Sequence, residues 1–159
     1  MRGLSFIADN ELYAVDVTSV MKVVRHIETT PVPAVSNAVV GIVNIKGMVI
    51  TILSLPALLG YERTEDYHSM NSINAIIFKS IADGSDQMGL LIDTPGDLIT
   101  IDEESIQPLP MNVGFEEKQT ISGLADIDGT LYRIVDITSI INRFSDSGTA
   151  VVTGKQEEN

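Results

Sequence analysis

The sequence has no cysteine and no tryptophan, only two histidines, and ten Lys and Arg against 22 Asp and Glu in 159 residues. Without cysteine there is no disulfide framework, no thiolate metal site and no cysteine nucleophile, a composition that suits a reducing cytoplasm. The formal charge of −12 repels phosphate backbones and anionic lipid unless cations are gathered in one place. They are not: Lys22, Arg25, Lys46, Arg63, Lys79, Lys118, Arg133 and Arg143 stand singly along the chain. Nucleic acid is therefore not expected as a partner. Long uninterrupted apolar runs are missing too. The most apolar stretch, residues 39–59, contains Gly41, Asn44, Lys46, Gly47 and Pro56, so it reads as two strands and a turn, with no direct membrane insertion expected. The N-terminus reaches Asp9 too soon for the apolar core of a signal peptide.

Catalytic chemistry is equally scarce. His26 and His68 have no partner at metal-ligand spacing, and no Gly-x-Ser-x-Gly elbow is present. Asp126-Ile127-Asp128-Gly129 opens like a calcium loop but lacks the later oxygen ligands, so a hairpin turn explains it better. Asp102-Glu103-Glu104 reads as a solvated acidic turn. No glycine cluster leads into a helix as a phosphate cradle would. No enzyme activity, metal or cofactor is expected.

What is abundant is Val, Ile and Leu, in runs of four to eight bounded by Gly, Pro, Asn, Asp and Ser. That is the pattern of short buried strands. Strands are expected at residues 4–8, 12–17, 38–45, 48–53, 74–79, 88–93, 121–127 and 130–136, with a further apolar stretch at 97–101. Short helices are expected at 56–59 and 137–143; in the second, Ile137, Ile140, Ile141 and Phe144 fall on one face.

The chain also repeats itself. Gly41 to Leu55 aligns without gaps on Gly123 to Ile137 at an offset of 82, and Leu58 and Leu59 then match Ile140 and Ile141. Ala14-Val15-Asp16-Val17 resembles Gly89-Leu90-Leu91-Ile92 at an offset of 75, and Pro31-Val32-Pro33 resembles Pro108-Leu109-Pro110 at 77. Three matches in the same order point to duplication. In each copy a two-residue turn, Lys46-Gly47 or Asp128-Gly129, separates two apolar strands, as in a tight hairpin. Half-domains of about five short strands avoid exposed edges by closing into small barrels. Residues 60–72 read as the connection between them, and the polar tail 145–159 is expected to be disordered.

The segment from Val39 to Leu55, with Gly41, Asn44, Lys46 and Gly47 in a Gly-apolar-x-Asn-apolar-Arg-Gly pattern and Pro31-Val32-Pro33 before it, resembles the signature of CheW-like chemotaxis coupling proteins. The resemblance extends to Glu11 through Val17, Gly89 through Asp93 and Leu131 through Ile141, nearly the whole chain. It implies an all-β fold of two pseudo-symmetric five-stranded SH3-like β-barrels with short connecting helices and a C-terminal helix. Residues 1–144 would form one domain of two intertwined subdomains, near 12–80 and 81–144, the N-terminal strand being free to join the second.

The resemblance further implies a non-catalytic cytoplasmic adaptor, recruited to receptor arrays, that couples the cytoplasmic tip of chemoreceptors to the regulatory domain of a CheA-type histidine kinase. Carried over by position, Val20 and Val23 would belong to the receptor-facing apolar surface with Lys22 between them. Asn44, Lys46 and Gly47 would form the signature turn near a partner. Barrel core is the competing role for Val20 and Val23, and an exposed hairpin charge for Lys46. This chain departs from the family pattern where Lys46 replaces Arg, losing the planar bidentate fork, where Lys22 replaces a common Glu, and at Thr51, Ser54 and Pro56. Those departures raise a rival reading, a divergent scaffold of a non-flagellar chemosensory system or one that fills array positions without activating the kinase. A third reading, independent of them, is a small-ligand- or substrate-binding double barrel with its site in the inter-barrel groove; it lacks convergent polar chemistry, and a deep polar pocket around His26 or His68 would support it.

Overall fold

A computed structural model of the chain describes residues 1–32, 36–61, 72–80 and 87–147. Ten strands run in order as β1 (Arg2–Ala8), β2 (Glu11–Asp16), β3 (Val20–Glu28), β4 (Val39–Ile45), β5 (Met48–Leu53), β6 (Ser72–Phe78), β7 (Gln87–Ile92), β8 (Thr94–Thr100), β9 (Ile121–Ile127) and β10 (Thr130–Val135). Among the described residues three α-helices accompany them: α1 (Leu55–Leu58), α2 (Phe115–Thr120) and α3 (Ile137–Ser147). The strands form two five-stranded sheets, ordered β3-β6-β7-β5-β4 and β8-β1-β2-β10-β9. Each contains one parallel pair, β5 with β7 and β10 with β2, and every other pairing is antiparallel. The two orders are the same fold written twice.

The register agrees with the repeat read from the sequence. Ile52 pairs with Gly89 in one sheet and Ile134 with Ala14 in the other, which reproduces the offsets of 82 and 75. Both turns take the conformation a twisted two-residue hairpin requires: φ is +52° at Lys46 and at Asp128, +85° at Gly47 and +87° at Gly129. Past the sheets, Thr30 bridges Ile42 and Gln107 bridges Leu124, joining the outermost strand lines of each sheet and closing it into a small barrel.

Sheet membership crosses the expected division near residue 80. Strand β2 pairs with β10 of the C-terminal half, while β7 pairs with β5 and β6 of the N-terminal half. The halves exchange these strands because each barrel needs a strand running parallel to its hairpin's second strand, and a parallel partner cannot follow by a tight turn. Val43, Ile45, Ile50 and Ile52 fill the interior of the first barrel; their counterparts Ala125, Ile127, Tyr132 and Ile134 line the second. The opposite faces meet in the largest core, which takes Leu53, Leu55, Leu58 and Leu59 together with Val135, Ile137, Ile140 and Ile141. Phe6, Tyr13, Ile76, Phe78 and Leu90 are among the other side chains buried in it. Pro31-Val32 and Pro108-Leu109 match here as well, since Val32 and Leu109 pack against this same core.

Three expectations need correction. Strand β3 and helix α2 are elements where none was expected, and α3 continues four residues past Arg143 to Ser147. The expected connection at 60–72 lies almost entirely outside the described residues, as do His68 and the tail beyond residue 147.

Candidate interaction surfaces

Strand β3 carries Val20, Lys22 and Val23, and two bulges decide where they point. Val20 pairs with Phe78, Lys22 with Ile77 and Val23 with Ile76, with a register shift between Val20 and Lys22. The bulge at Met21 lets two valines three residues apart share a face, which straight strand alternation forbids. Both are half-buried and pack against the core between the barrels, beside Ile76 and Phe78. Lys22 is exposed, and Met21 is 38% exposed. The two valines thus lie at the rim of the shared core, outside the interior of their own barrel, whose contacts from β3 come from Val24 and Ile27.

A second bulge, between Val24 and Ile27, carries His26 into the left-handed region at φ +54°. Its N–H, displaced from the ladder, donates to Asn74 Oδ1 at 3.0 Å, and Asn74 Nδ2 donates to the Asp93 carbonyl at 2.9 Å. A surface cleft of about 320 Å³ lies here, lined by His26, Ser72, Ile73, Asn74, Leu91, Ile92 and Asp93. The Asn74 amide is committed to the backbone on both sides, so its role here is to hold the bulge.

The hairpin of β4 and β5 carries Asn44, Lys46 and Gly47, all exposed. Asn44 Oδ1 accepts from Gly47 N–H at 2.9 Å, and Asp126 Oδ1 accepts from Gly129 N–H at 2.9 Å in the other barrel. Asn44 is therefore a turn-former, and Lys46 is the side chain the turn projects. Neither Lys22 nor Lys46 makes an ion pair among the described residues. The two groups are not brought together. They sit on β3 and on the β4–β5 hairpin, the outer lines of one sheet, which meet at the Thr30–Ile42 bridge.

The halves are tied together beside α2. Thr120 Oγ1 is buried and lies 3.0 Å from the Leu58 carbonyl at the end of α1, and Arg143 of α3 donates to Gln119 Oε1 at 3.1 Å and to Thr120 Oγ1 at 3.4 Å. Burial lowers the Arg143 pKa, with Glu116 opposing. Arg133 lies 3.8 Å from Glu117 and close to Tyr13. Burial works against the Arg133 charge, but Tyr13 and Glu117 outweigh it and the pKa rises.

Sequence reasoning missed the exposed apolar side chains Met111 and Phe115, which flank the start of α2, and the pair Val49 and Leu131 on the hairpins. The second pair had a signal, since the two residues are counterparts in the repeat at an offset of 82.

The CheW-like domain family model matches residues 2–145. The chain is 29% identical over 142 residues to the chemotaxis protein CheW of Thermotoga maritima, covering 89% of this chain and 88% of that one. It is 26% identical over 137 residues to the chemotaxis protein CheW of Rhizobium meliloti, covering 86% and 84%. Its fold is similar to the crystal structure of scaffolding protein TtCheW from Thermoanaerobacter tengcongensis, with a TM-score of 0.68, 26% identity and coverage of 85% and 88%. With the profile matched from the first strand to the last helix and both barrels in place, the chain belongs to the CheW-like domain family.

Proposed function

We propose that this chain is a non-catalytic adaptor of chemotaxis signalling that couples the cytoplasmic tips of chemoreceptors to the regulatory domain of a CheA-type histidine kinase. The observation that carries the reading is a double barrel built on one shared core with two outer features: a half-buried apolar strand rim at Val20 and Val23, and an exposed hairpin bearing Lys46. Two surfaces on one body let an adaptor act by fixing orientation and raising local concentration, with no chemistry of its own. Apolar anchors at Val20 and Val23, beside the exposed Lys22, suit a helical receptor tip, and the projecting Lys46 suits a partner carboxylate or carbonyl cluster. The protein then works in the cytoplasm, held at receptor arrays by its partners.

Titration calorimetry with the cognate kinase regulatory domain and with the receptor tip tests this. Both are expected to bind; Lys22→Glu should change the receptor affinity about 3- to 30-fold while leaving the kinase affinity within twofold, and Lys46→Ala should do the reverse. Binding to neither partner overturns the reading. A second reading, a divergent scaffold of a non-flagellar chemosensory system, draws on the same two exposed lysines. Under it, Lys22→Glu with Lys46→Arg creates coupling to a standard receptor and kinase pair, and unchanged behaviour counts against it.

A further inference from the structure

The two barrels differ at the far end of β3. Val24 pairs with Ala75 as Ile99 pairs with Gly3, so the repeat offset of 75 makes His26 the counterpart of Ile101. In the second barrel the strand line is uninterrupted: β8 stays in register from Leu98 to Thr100, and the buried Ile101 donates its N–H to the Met1 carbonyl at 2.8 Å. In the first barrel the matching residue is thrown out by the bulge between Val24 and Ile27, at φ +54°. That conformation is strained for a residue with a Cβ and persists only where its surroundings hold it. Asn74 holds it here, engaging both ends of its amide with the His26 N–H and the Asp93 carbonyl. The other copy closes its barrel without such a feature, and bulges of this kind re-aim side chains beside functional sites.

What the bulge borders is the cleft of about 320 Å³, large enough for a small organic molecule. Ile73, Leu91 and Ile92 give it an apolar side, and the exposed His26, Ser72 and Asp93 give it a polar one. Among the described residues the Asp93 carboxylate has no hydrogen-bond or ion-pair partner, and neither Lys nor Arg lines the cleft. An uncompensated carboxylate on a chain of net charge −12 selects a cation. The apolar side selects an organic one, and no group of three metal-ligating side chains exists among the described residues. We propose that this cleft binds a small organic ammonium ion. The Asp93 carboxylate pairs with its charge, the His26 ring and the Ser72 hydroxyl accept its remaining N–H groups, and Ile73, Leu91 and Ile92 take its apolar body. The site lies at the opposite end of β3 from Val20 and stands independently of the adaptor reading.

Phenethylammonium, phenylacetate and N-acetyl-lysine methylamide are the probes, titrated into the isotope-labelled full chain and followed by amide NMR. Phenethylammonium is expected to bind with a Kd of about 1 mM, shifting the backbone amides of Ile73, Asn74, Ile92 and Asp93 and the Asn74 side-chain NH2. Asp93→Asn, which keeps the shape and removes the charge, should weaken it about tenfold. His26→Gly suits φ +54°, so it should keep the thermal midpoint or raise it while weakening the amine about 2- to 5-fold through the lost imidazole. Phenylacetate carries the same ring with the opposite charge and should leave these amides unmoved. The lysine analogue offers the same ammonium group on a narrow chain between two peptide groups and should bind more weakly than phenethylammonium. Unmoved amides at about 10 mM phenethylammonium, ten times the expected Kd, overturn the proposal. So does equal affinity in a folded Asp93→Asn variant, or equal binding of phenylacetate. Tighter binding of the lysine analogue overturns it too, because the cleft would then seat a lysine side chain of a partner protein.

Discussion

Tyr13 is buried to 2% exposure with its ring stacked on Phe6 at a centroid distance of 5.5 Å. Burial pushes its pKa up to about 12, with the neighbouring Arg133 pulling the other way. The folded state therefore holds the neutral phenol more tightly than the unfolded chain, whose tyrosine titrates near 10.0. A raised folded pKa contributes stability that is complete below the unfolded value and is lost as pH climbs from about 10 through about 12. Urea midpoints measured at pH 8, 10 and 11.5 should fall over the last interval. Tyr13→Phe keeps the ring stack and should flatten that fall, at a cost of about 1 kcal/mol at pH 8 for the lost hydroxyl contact with Arg133. A fall of the same size in the variant would remove Tyr13 as its source. The burial of Tyr13 was not legible in the sequence, because its partners Phe6 and Arg133 lie on β1 and β10, more than a hundred residues apart in the case of Arg133.

At the scale of elements, the closing bridges explain the first glycine of the signature. A Cβ on Gly41 would lie 2.6 Å from the Thr30 carbonyl oxygen, and one on Gly123 would lie 2.8 Å from that of Gln107 and 2.5 Å from Ile106 Cγ2. Those carbonyls accept from Ile42 N–H at 2.9 Å and Leu124 N–H at 2.8 Å, the bonds that close each barrel. Gly41→Ala and Gly123→Ala should each destabilise by about 2–4 kcal/mol through forced backbone shifts. Gly47→Ala meets no neighbour and suffers only from φ +85°, so it should cost about 1 kcal/mol. Equal urea midpoints for the three variants would sink this account.

The same scale shows what could be read from the chain. The hairpins were legible because their alternation and turns are local, and because the copy confirmed them. Strand β3 was not, since its two bulges break the period of two: Val20 and Val23 share one face, Val24 and Ile27 the other, and Lys22, Arg25 and His26 intervene. Bulges are set by what the strand packs against, which a single segment does not encode. Helix α2 was hidden because its only apolar residue, Phe115, faces solvent and gives no periodic stripe. For the candidate site, Asn44 and Gly47 were legible as turn residues. The placement of Val20 and Val23 at the rim needed the tertiary fold.

At the scale of the whole molecule, the core shared by the barrels is larger than either interior, and it draws on β1, β2, β4, β5, β6, β7, β9 and β10 along with α1 and α3. The barrels also exchange strands across the midpoint of the chain, so neither half retains its sheet when the other unfolds. Two-barrel architecture would allow two melting transitions if each interior were self-sufficient, yet among the described residues the second buries only Ala14, Ile101, Ala125 and Ile134. A single cooperative transition is therefore expected, with far-UV circular dichroism and tyrosine fluorescence superimposing across a urea titration. Leu55 is wholly buried in the shared core, and Leu55→Ala should destabilise by about 2–5 kcal/mol, lowering the one midpoint equally in both signals. Ile134→Ala, in the second interior, should move the same single midpoint without splitting it, because any loss there also strains β10, which carries Val135 into the shared core. Two resolved steps in either variant would mean that the barrels fold as separate units. The fixed relative orientation on which an adaptor of this shape depends would then have no basis in the core.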